Sequence, residues 1–432
     1  MTGGNKPSMT EGFADLESLS RSELMTAAHE YMLGGFHAVK AIGGVATMRS
    51  GLVEPTKTDV NIAQWMGASP VYTHRLRAVF GIEGDDVPAI MKALQLDVGF
   101  CHQYMRVAYK VNAPLDGEFW LLHCGALIDL EPLGEEVIFN MCHTIEDPTF
   151  DATALATNPR AQIRPVHRPP RTPADRHPNC HWTLKIDPAN EPVGAIPITE
   201  AVGALPLAAV RNSIQGTTTE GWPDYRGSFE PGFRLGAFGS PALAAAAREF
   251  QMQTHLLACS QELASAPEIG VELARSIGDE AWLGAAWILA ERLPKITDLG
   301  TGVEVVAAAL RLTPAVPPGF ERVITVDSDQ VTMVLTAVRP GLVDPEHPGW
   351  CGSLARGATG LVEGTAAGRG YEATGITTSA DGDTVRTTFT ATPAPTGREE
   401  PPVVMISRFG STASWTFDLA DIPADVVVDV AR

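Results

Sequence analysis

Glu118-Phe-Trp-Leu-Leu-His-Cys124, introduced by the turn signal Asp116-Gly117 and continuing into Gly125-Ala-Leu127, is the stretch on which the fold reading turns. An apolar run of this length behind a turn reads as a strand. Its last five residues, His123-Cys-Gly-Ala-Leu127, have an echo far downstream in Trp350-Cys-Gly-Ser-Leu354. Working outward, each copy is preceded by helical patterning. Leu24, Ala27, Ala28, Tyr31, Met32, Phe36 and Val39 lie on one face of a helix over residues 21–43, with Ser22 as its N-cap and Gly43-Gly44 as its stop. Helical stretches follow at 60–66, 71–79 and 86–109. Residues 136–142 fit a short helix or a strand. The Pro- and Arg-rich residues 158–180 read as irregular, and 181–186 as a strand.

After residues 191–240, rich in Pro, Gly and Thr, the order starts again. Helices are expected at 241–263, 268–277, 279–293 and 302–312, then strands at 321–326 and 330–338. A Gly-rich stretch follows, then a strand at 384–392 and a final pair near 402–407 and 414–418. Helices first and strands afterwards, twice over, predict an α+β protein of two tandem related domains, each with helices followed by an antiparallel sheet. The divisions are a loose tail over 1–20, a Cys/His-rich domain over 21–190, a connector over 191–240 and a degenerate second domain over 241–432.

The 432 residues are 44% hydrophobic and 19% charged, a globular composition, and carry a net charge of −19. So acidic a chain repels phosphate backbones and anionic lipid, which argues against nucleic acid and membrane surfaces as partners. The polar, Gly-rich first 13 residues lack a secretory signal pattern, and the longest apolar run, 281–290, is half of the ~20 residues that span a bilayer. A cytoplasmic protein is expected.

Four of the six cysteines lie before residue 182, each beside a histidine: Cys101-His102, His123-Cys124, Cys142-His143 and Cys180-His181. Thiolate and imidazole suit zinc, iron and copper. Neighbours on a strand face opposite ways, so each pair offers one side chain to a site and the other to packing. The candidate ligands of a single Zn²⁺ or Fe are Cys124, Cys142, His143, Cys180 and His181, with His102 and Glu146 as candidate proton carriers. A buried thiol beside an exposed imidazole is the plain alternative for any one pair. Arg160, Arg164, Arg168, Arg171 and Arg176 form a local cationic cluster. Arg168 and Arg171 are candidates for holding an anionic substrate, against the alternative of pairing with the protein's own acids. The second half keeps only Cys259, Cys351, His255 and His347. Its role would be structural, or to close the first domain's pocket.

The run Cys142-His-Thr-Ile-Glu-Asp-Pro148, then Arg168-Pro-Pro-Arg171, then Asp175-Arg-His-Pro-Asn-Cys-His-Trp182 resembles the tail of the L-2-amino-thiazoline-4-carboxylic acid hydrolase-like domains, themselves similar to the 4-vinyl reductase domain. The resemblance spans residues 20–190 and, more faintly, 240–390. It implies a small-molecule pocket between helices and sheet, a cysteine-containing metal or nucleophile site, and a homodimer. Cys124, Cys142 and Cys180 are the matching positions. His102, His123, His143 and His181 have no counterpart there, nor does the family explain the doubled length.

Three functions follow as expectations. The first is a metal-dependent hydrolase or lyase acting on a small organic acid or heterocycle, with a thiol-nucleophile variant built on Cys124 or Cys142. The second is a small-molecule-binding module with a structural metal. The third is an iron-containing oxidoreductase component.

Overall fold

The computed structural model describes residues 11–408. The first half runs α1 (Arg21–Arg49), α2 (Thr56–Phe80), α3 (Val87–Leu94), β1 (Met105–Ala113), β2 (Asp116–Cys124), α4 (Gly125–Leu130), α5 (Glu135–Phe139), a π-helical turn (Asn140–Ile145), α6 (Glu146–Leu155), β3 (Ala161–His167) and β4 (Cys180–Ile186). A connector carrying α7 (Pro197–Gly203) leads to the second half. There the order is α8 (Ser240–Ile269), α9 (Val271–Arg292), α10 (Glu304–Leu312), β5 (Phe320–Asp327), β6 (Gln330–Ala337), α11 (Trp350–Ala355), α12 (Gly360–Gly368), β7 (Tyr371–Asp381), β8 (Thr384–Pro393) and α13 (Pro402–Ser407).

Two long helices, a short helix, two strands, short helices and two strands thus occur twice. Both antiparallel sheets have the same order, β1-β2-β4-β3 and β5-β6-β8-β7. The two tandem α+β units expected from the sequence are present, and the His123–Leu127 and Trp350–Leu354 echoes both mark the start of the short helix that comes after the second strand, α4 and α11.

Local chemistry explains where the elements depart from the expected bounds. α1 is capped by Ser20, whose hydroxyl accepts from the Glu23 N–H while the Glu23 carboxylate accepts from the Ser20 N–H at 2.8 Å. It runs on through Gly43-Gly44 to Arg49 because Gly44 lies under Ile406 of α13, where a Cβ would clash. The stretches 60–66 and 71–79 form one helix across Pro70. Proline leaves the Met66 carbonyl without its usual N–H, and the Thr199 hydroxyl of α7 donates to it at 2.6 Å. The expected helix over 86–109 stops at Leu94, and its later residues form β1. Residues 161–167, inside the stretch read as irregular, form β3. Residues 402–407 are helical, not a strand, and 414–418 lie outside the described residues.

The helices 268–277 and 279–293 are likewise one, α9. The Gly-rich stretch holds α12, which packs on α9 through Gly360, Gly364 and Gly368. A Cβ on Gly364 would stand 2.4 Å from the Leu283 carbonyl oxygen.

α8 is buried on every face and packs on both α1 and α2. Its polar residues are spent on this contact. Glu249 pairs with Arg75 at 2.8 Å, and the Gln253 carboxamide accepts from the Val98 N–H and donates to the Leu96 carbonyl. One large apolar core therefore unites α1, α2, α8 and α9 with the second sheet, while the first sheet has a smaller core of its own. Ala14 and Leu16 are buried in the large core, so the part of the tail from residue 11 onward is packed down. The connector is packed as well, through Leu207, Val210, Tyr225, Phe233 and Phe238. No described helix is long and apolar enough to cross a membrane.

Candidate metal and ligand sites of the first sheet

On the inner face of the first sheet Val107, Tyr109, Phe119, Leu121, Cys180, Trp182 and Leu184 all belong to the smaller core. Cys180 stands opposite Leu121 in the β2–β4 ladder, and Cys124 ends β2 opposite Met105. Cys142 reaches the same core from the π-helical turn. Such a turn widens the helix by one residue and recurs at functional positions. Cys124, Cys142 and Cys180 thus meet from three separate elements, all as free buried thiols.

Each of the three is raised in pKa first by burial. For Cys142 and Cys180 the negative charges of Glu146 and of fellow cysteines add to the rise, and Cys124, also raised by Glu146, reaches about 12. The Cys124 sulfur accepts from the Leu127 N–H at 3.4 Å, and the Cys180 sulfur from the Trp182 indole N–H at 3.1 Å.

Glu146, the first residue of α6, completes the group. The residue keeps some exposure, but its carboxyl is surrounded by protein, and burial raises its pKa to about 8 against the pull of Arg168. Arg168 stands 5.6 Å over the Trp182 ring and pairs with Asp147. Arg171 pairs with Glu131 at 2.6 Å and donates to the Asn179 side chain, bracing the β3–β4 loop. Both arginines of the candidate anion site are thus paired to the protein's own acids, although Arg168 also borders the thiols.

The histidines go elsewhere. His181 alternates onto the outer face, where it stacks on Trp120 and meets the Glu118 carboxylate at 2.7 Å. His143 stacks on Phe139 and donates to the Pro169 carbonyl at 2.8 Å. His102 donates from Nε2 to the Gln95 carbonyl at 2.9 Å, in a separate chamber beside β1. The Cys-His pairs of β2 and β4 split as strand alternation requires, with the thiols of Cys124 and Cys180 inward, and Cys142 faces the same core from the π-helical turn. As the side chains lie, no group of three or more His, Cys, Asp or Glu among the described residues is arranged tightly enough to hold a metal ion.

Two cavities border β1. An open groove of about 790 Å³ is lined by Pro88, Lys92, Tyr109, Lys110, Phe229 and Pro231, among others. A chamber of about 10 Å³ lies among Gln95, Phe100, His102, Tyr109, Phe233 and Arg234. Arg234 and Phe229 come from the connector, which sequence reading took as a mere link. Only their aromatic and cationic character within a Pro/Gly-rich stretch marked them out.

Comparison of the chain with protein-family models, with curated proteins and with solved structures finds no match.

Proposed function

We propose that the first domain is a metal-dependent enzyme, a hydrolase or lyase acting on a small organic acid or heterocycle. The observation that carries this reading is the convergence of Cys124, Cys142, Cys180 and Glu146 on one apolar core, each made more basic first by burial, the thiols further by Glu146 and Glu146 by Asp147. Thiols and a carboxyl buried together stay protonated unless a cation compensates their charged forms. Arg168 is the cation at hand, and it is already paired with Asp147. The donors suit zinc or iron, and the fit is one of donor chemistry and convergence rather than of a preformed cage.

Cys124, Cys142 and Cys180 would hold the ion, with Glu146 as the fourth ligand or as a free proton carrier. When bound, such an ion supplies Lewis acidity and lowers the pKa of water. Glu146, protonated at neutral pH while its pKa stands near 8, can deliver a proton in this low-dielectric setting. Arg168 offers the adjacent positive charge to an acidic substrate, and Trp182 walls the site from solvent. The thiol-nucleophile variant is disfavoured, because all three thiols are raised in pKa and a nucleophile needs the thiolate.

The test is elemental analysis of the protein purified without added metal, for wild type and Cys142→Ala. About one equivalent of zinc or iron per chain, lost in the variant, is expected. Wild-type protein that takes up neither metal after anaerobic reconstitution overturns the reading. Metal retained without turnover of any candidate acid or heterocycle would favour the binding-module alternative, and a coloured, redox-active site the iron oxidoreductase.

A further inference from the structure

The chamber beside β1 holds a cation and an imidazole with unfilled bonding capacity, and a second such imidazole stands behind it. Arg75, Arg248 and Arg292 each face a carboxylate, of Glu249, Glu17 and Glu30. Arg322 spends its guanidinium on backbone carbonyls, including those of Arg311 and Thr313. Arg234, largely buried in the chamber wall, donates to the carbonyl of its own neighbour Phe233 at 3.0 Å and has no carboxylate partner among the described residues. Its charged surroundings are Tyr109 and Arg106 of β1, and the latter worsens its position.

Two buried ring nitrogens are also unpartnered, Nδ1 of His102 and Nε2 of His29 on α1. The other nitrogen of each ring meets a backbone carbonyl, of Gln95 at 2.9 Å and of Met25 at 2.8 Å, and so carries the proton. In the neutral rings the unpartnered nitrogens are therefore acceptors. The rings stand 6.2 Å apart. Burial holds both neutral, with pKa lowered to about 3 for His102 and about 4 for His29.

One ligand group answers both demands. A carboxyl that arrives with its proton accepts from Arg234 through one oxygen and donates to His102 Nδ1 through the other. We propose that this chamber is the head-group site for a monocarboxylic acid, taken up together with one proton, whose apolar body lies in the adjoining groove. Two features join the cavities: Tyr109 walls both, and the connector lines the groove with Gly227, Ser228, Phe229 and Pro231 and the chamber with Phe233 and Arg234. The groove, at about 790 Å³, has the volume of a small-molecule site. The chamber as it stands admits one water-sized group, so entry of a carboxyl requires the Tyr109 ring to shift. The site gives the acid substrate class of the proposed enzyme a seat, yet it needs no metal and stands or falls separately.

Proton uptake sets the pH behaviour. The titratable groups about His102 are His29 from α1, Arg234 from the connector and Tyr109 from β1, and Arg106 of β1 acts on Arg234 in turn. None of these is an acid charged at neutral pH, so the proton comes with the ligand, and affinity rises as pH falls.

The experiment is calorimetric titration of the full chain with phenylacetate and with its methyl ester, which accepts a hydrogen bond but cannot donate one, near pH 6 and near pH 8, in buffers of different ionisation enthalpy. The acid should bind at least about tenfold more tightly than the ester near pH 6. It should take up about one proton near pH 8 and weaken there. His102→Phe should remove the preference for the acid, Arg234→Gln should weaken both ligands, and Cys142→Ala should leave the preference intact, whatever becomes of the metal. Should His102→Phe fail to fold, the acid-against-ester comparison on wild type decides alone. Equal binding of acid and ester, no binding of either, or binding of the acid without proton uptake overturns the proposal and leaves the chamber to a structural water.

Discussion

The two halves share a frame and differ in what is hung on it. Both sheets have the same strand order, both follow a pair of long helices, and both have a cysteine where the short helix after the second strand begins, Cys124 as the N-cap of α4 and Cys351 in the first turn of α11. Between the second and third strands the second half has α11 and α12, whereas the first inserts α5 and the π-helical turn that presents Cys142. Between the last two strands the second half makes the tight turn Gly382-Asp383, with Gly382 at φ +56°. The first half spends residues 168–179 there, and with them Arg168 and Arg171. The second half also lacks a counterpart to Cys180. What separates the Cys-rich copy from the other is thus two connections and the first residue of β4, and connections are where function is commonly added to a rigid frame.

The largest test of this contrast is the matched pair Cys124→Ala and Cys351→Ala. The first should abolish metal uptake. The second should leave metal content unchanged and lower stability by about 1 kcal/mol, the cost of a small buried group. Metal lost equally from both would erase the distinction between the halves.

Acid should act mainly on the first half. Burial lowers the pKa of His29 to about 4, of His102 to about 3 and of His37 well below its usual value, whereas in the second half the deeply depressed one is His255, at about 3. A base with a depressed folded pKa stabilises above its unfolded pKa of ~6.5, and that contribution is lost as pH falls toward the folded value. At pH 5 each such histidine should cost about 2 kcal/mol relative to pH 7, read from urea midpoints. Asp97, raised to about 6 by burial, works in the opposite sense over part of this range. His29→Gln should flatten the acid limb more than a surface substitution does, and an unchanged limb would count against the buried neutral imidazole.

Gly364→Val attacks the second half's frame. Its side chain would enter the α9–α12 contact, and a loss of about 2–3 kcal/mol in chemical denaturation is expected with metal stoichiometry unchanged. The smallest effect concerns the leading helices. α1 has a full capping box, while α8 begins after Gly239 with no side-chain cap. Ser20→Ala should therefore cost about 1 kcal/mol. Ser20→Gly should cost less, and a loss as large as for alanine would show that the box is not what starts the helix.

Much of this frame was legible in the sequence, because long amphipathic helices and turn-bounded strands carry their periodicity locally. What was missed depended on distant chain. Pro70 reads as a break, and only Thr199 of α7 repairs it. Gly360, Gly364 and Gly368 read as a loop, because nothing local shows that α9 needs their bare surface. Of the candidate site, the cysteines and Glu146 are named from their clustering along the sequence. The histidines could not be assigned, since alternation tells that one of each pair faces inward but not which. Arg234 was out of reach, as its want of a carboxylate partner among the described residues is a property of the folded surroundings alone.

The burial of α8 against both α1 and α2 has a consequence for how the chain can be cut. Either half expressed by itself would carry a bare apolar flank where its sibling belongs. Such a fragment should be recovered as insoluble material or clinging to chaperones, and mixing the two fragments during refolding should rescue them. On that outcome the duplicated frame is one inseparable body, in which each copy covers the apolar flank of the other.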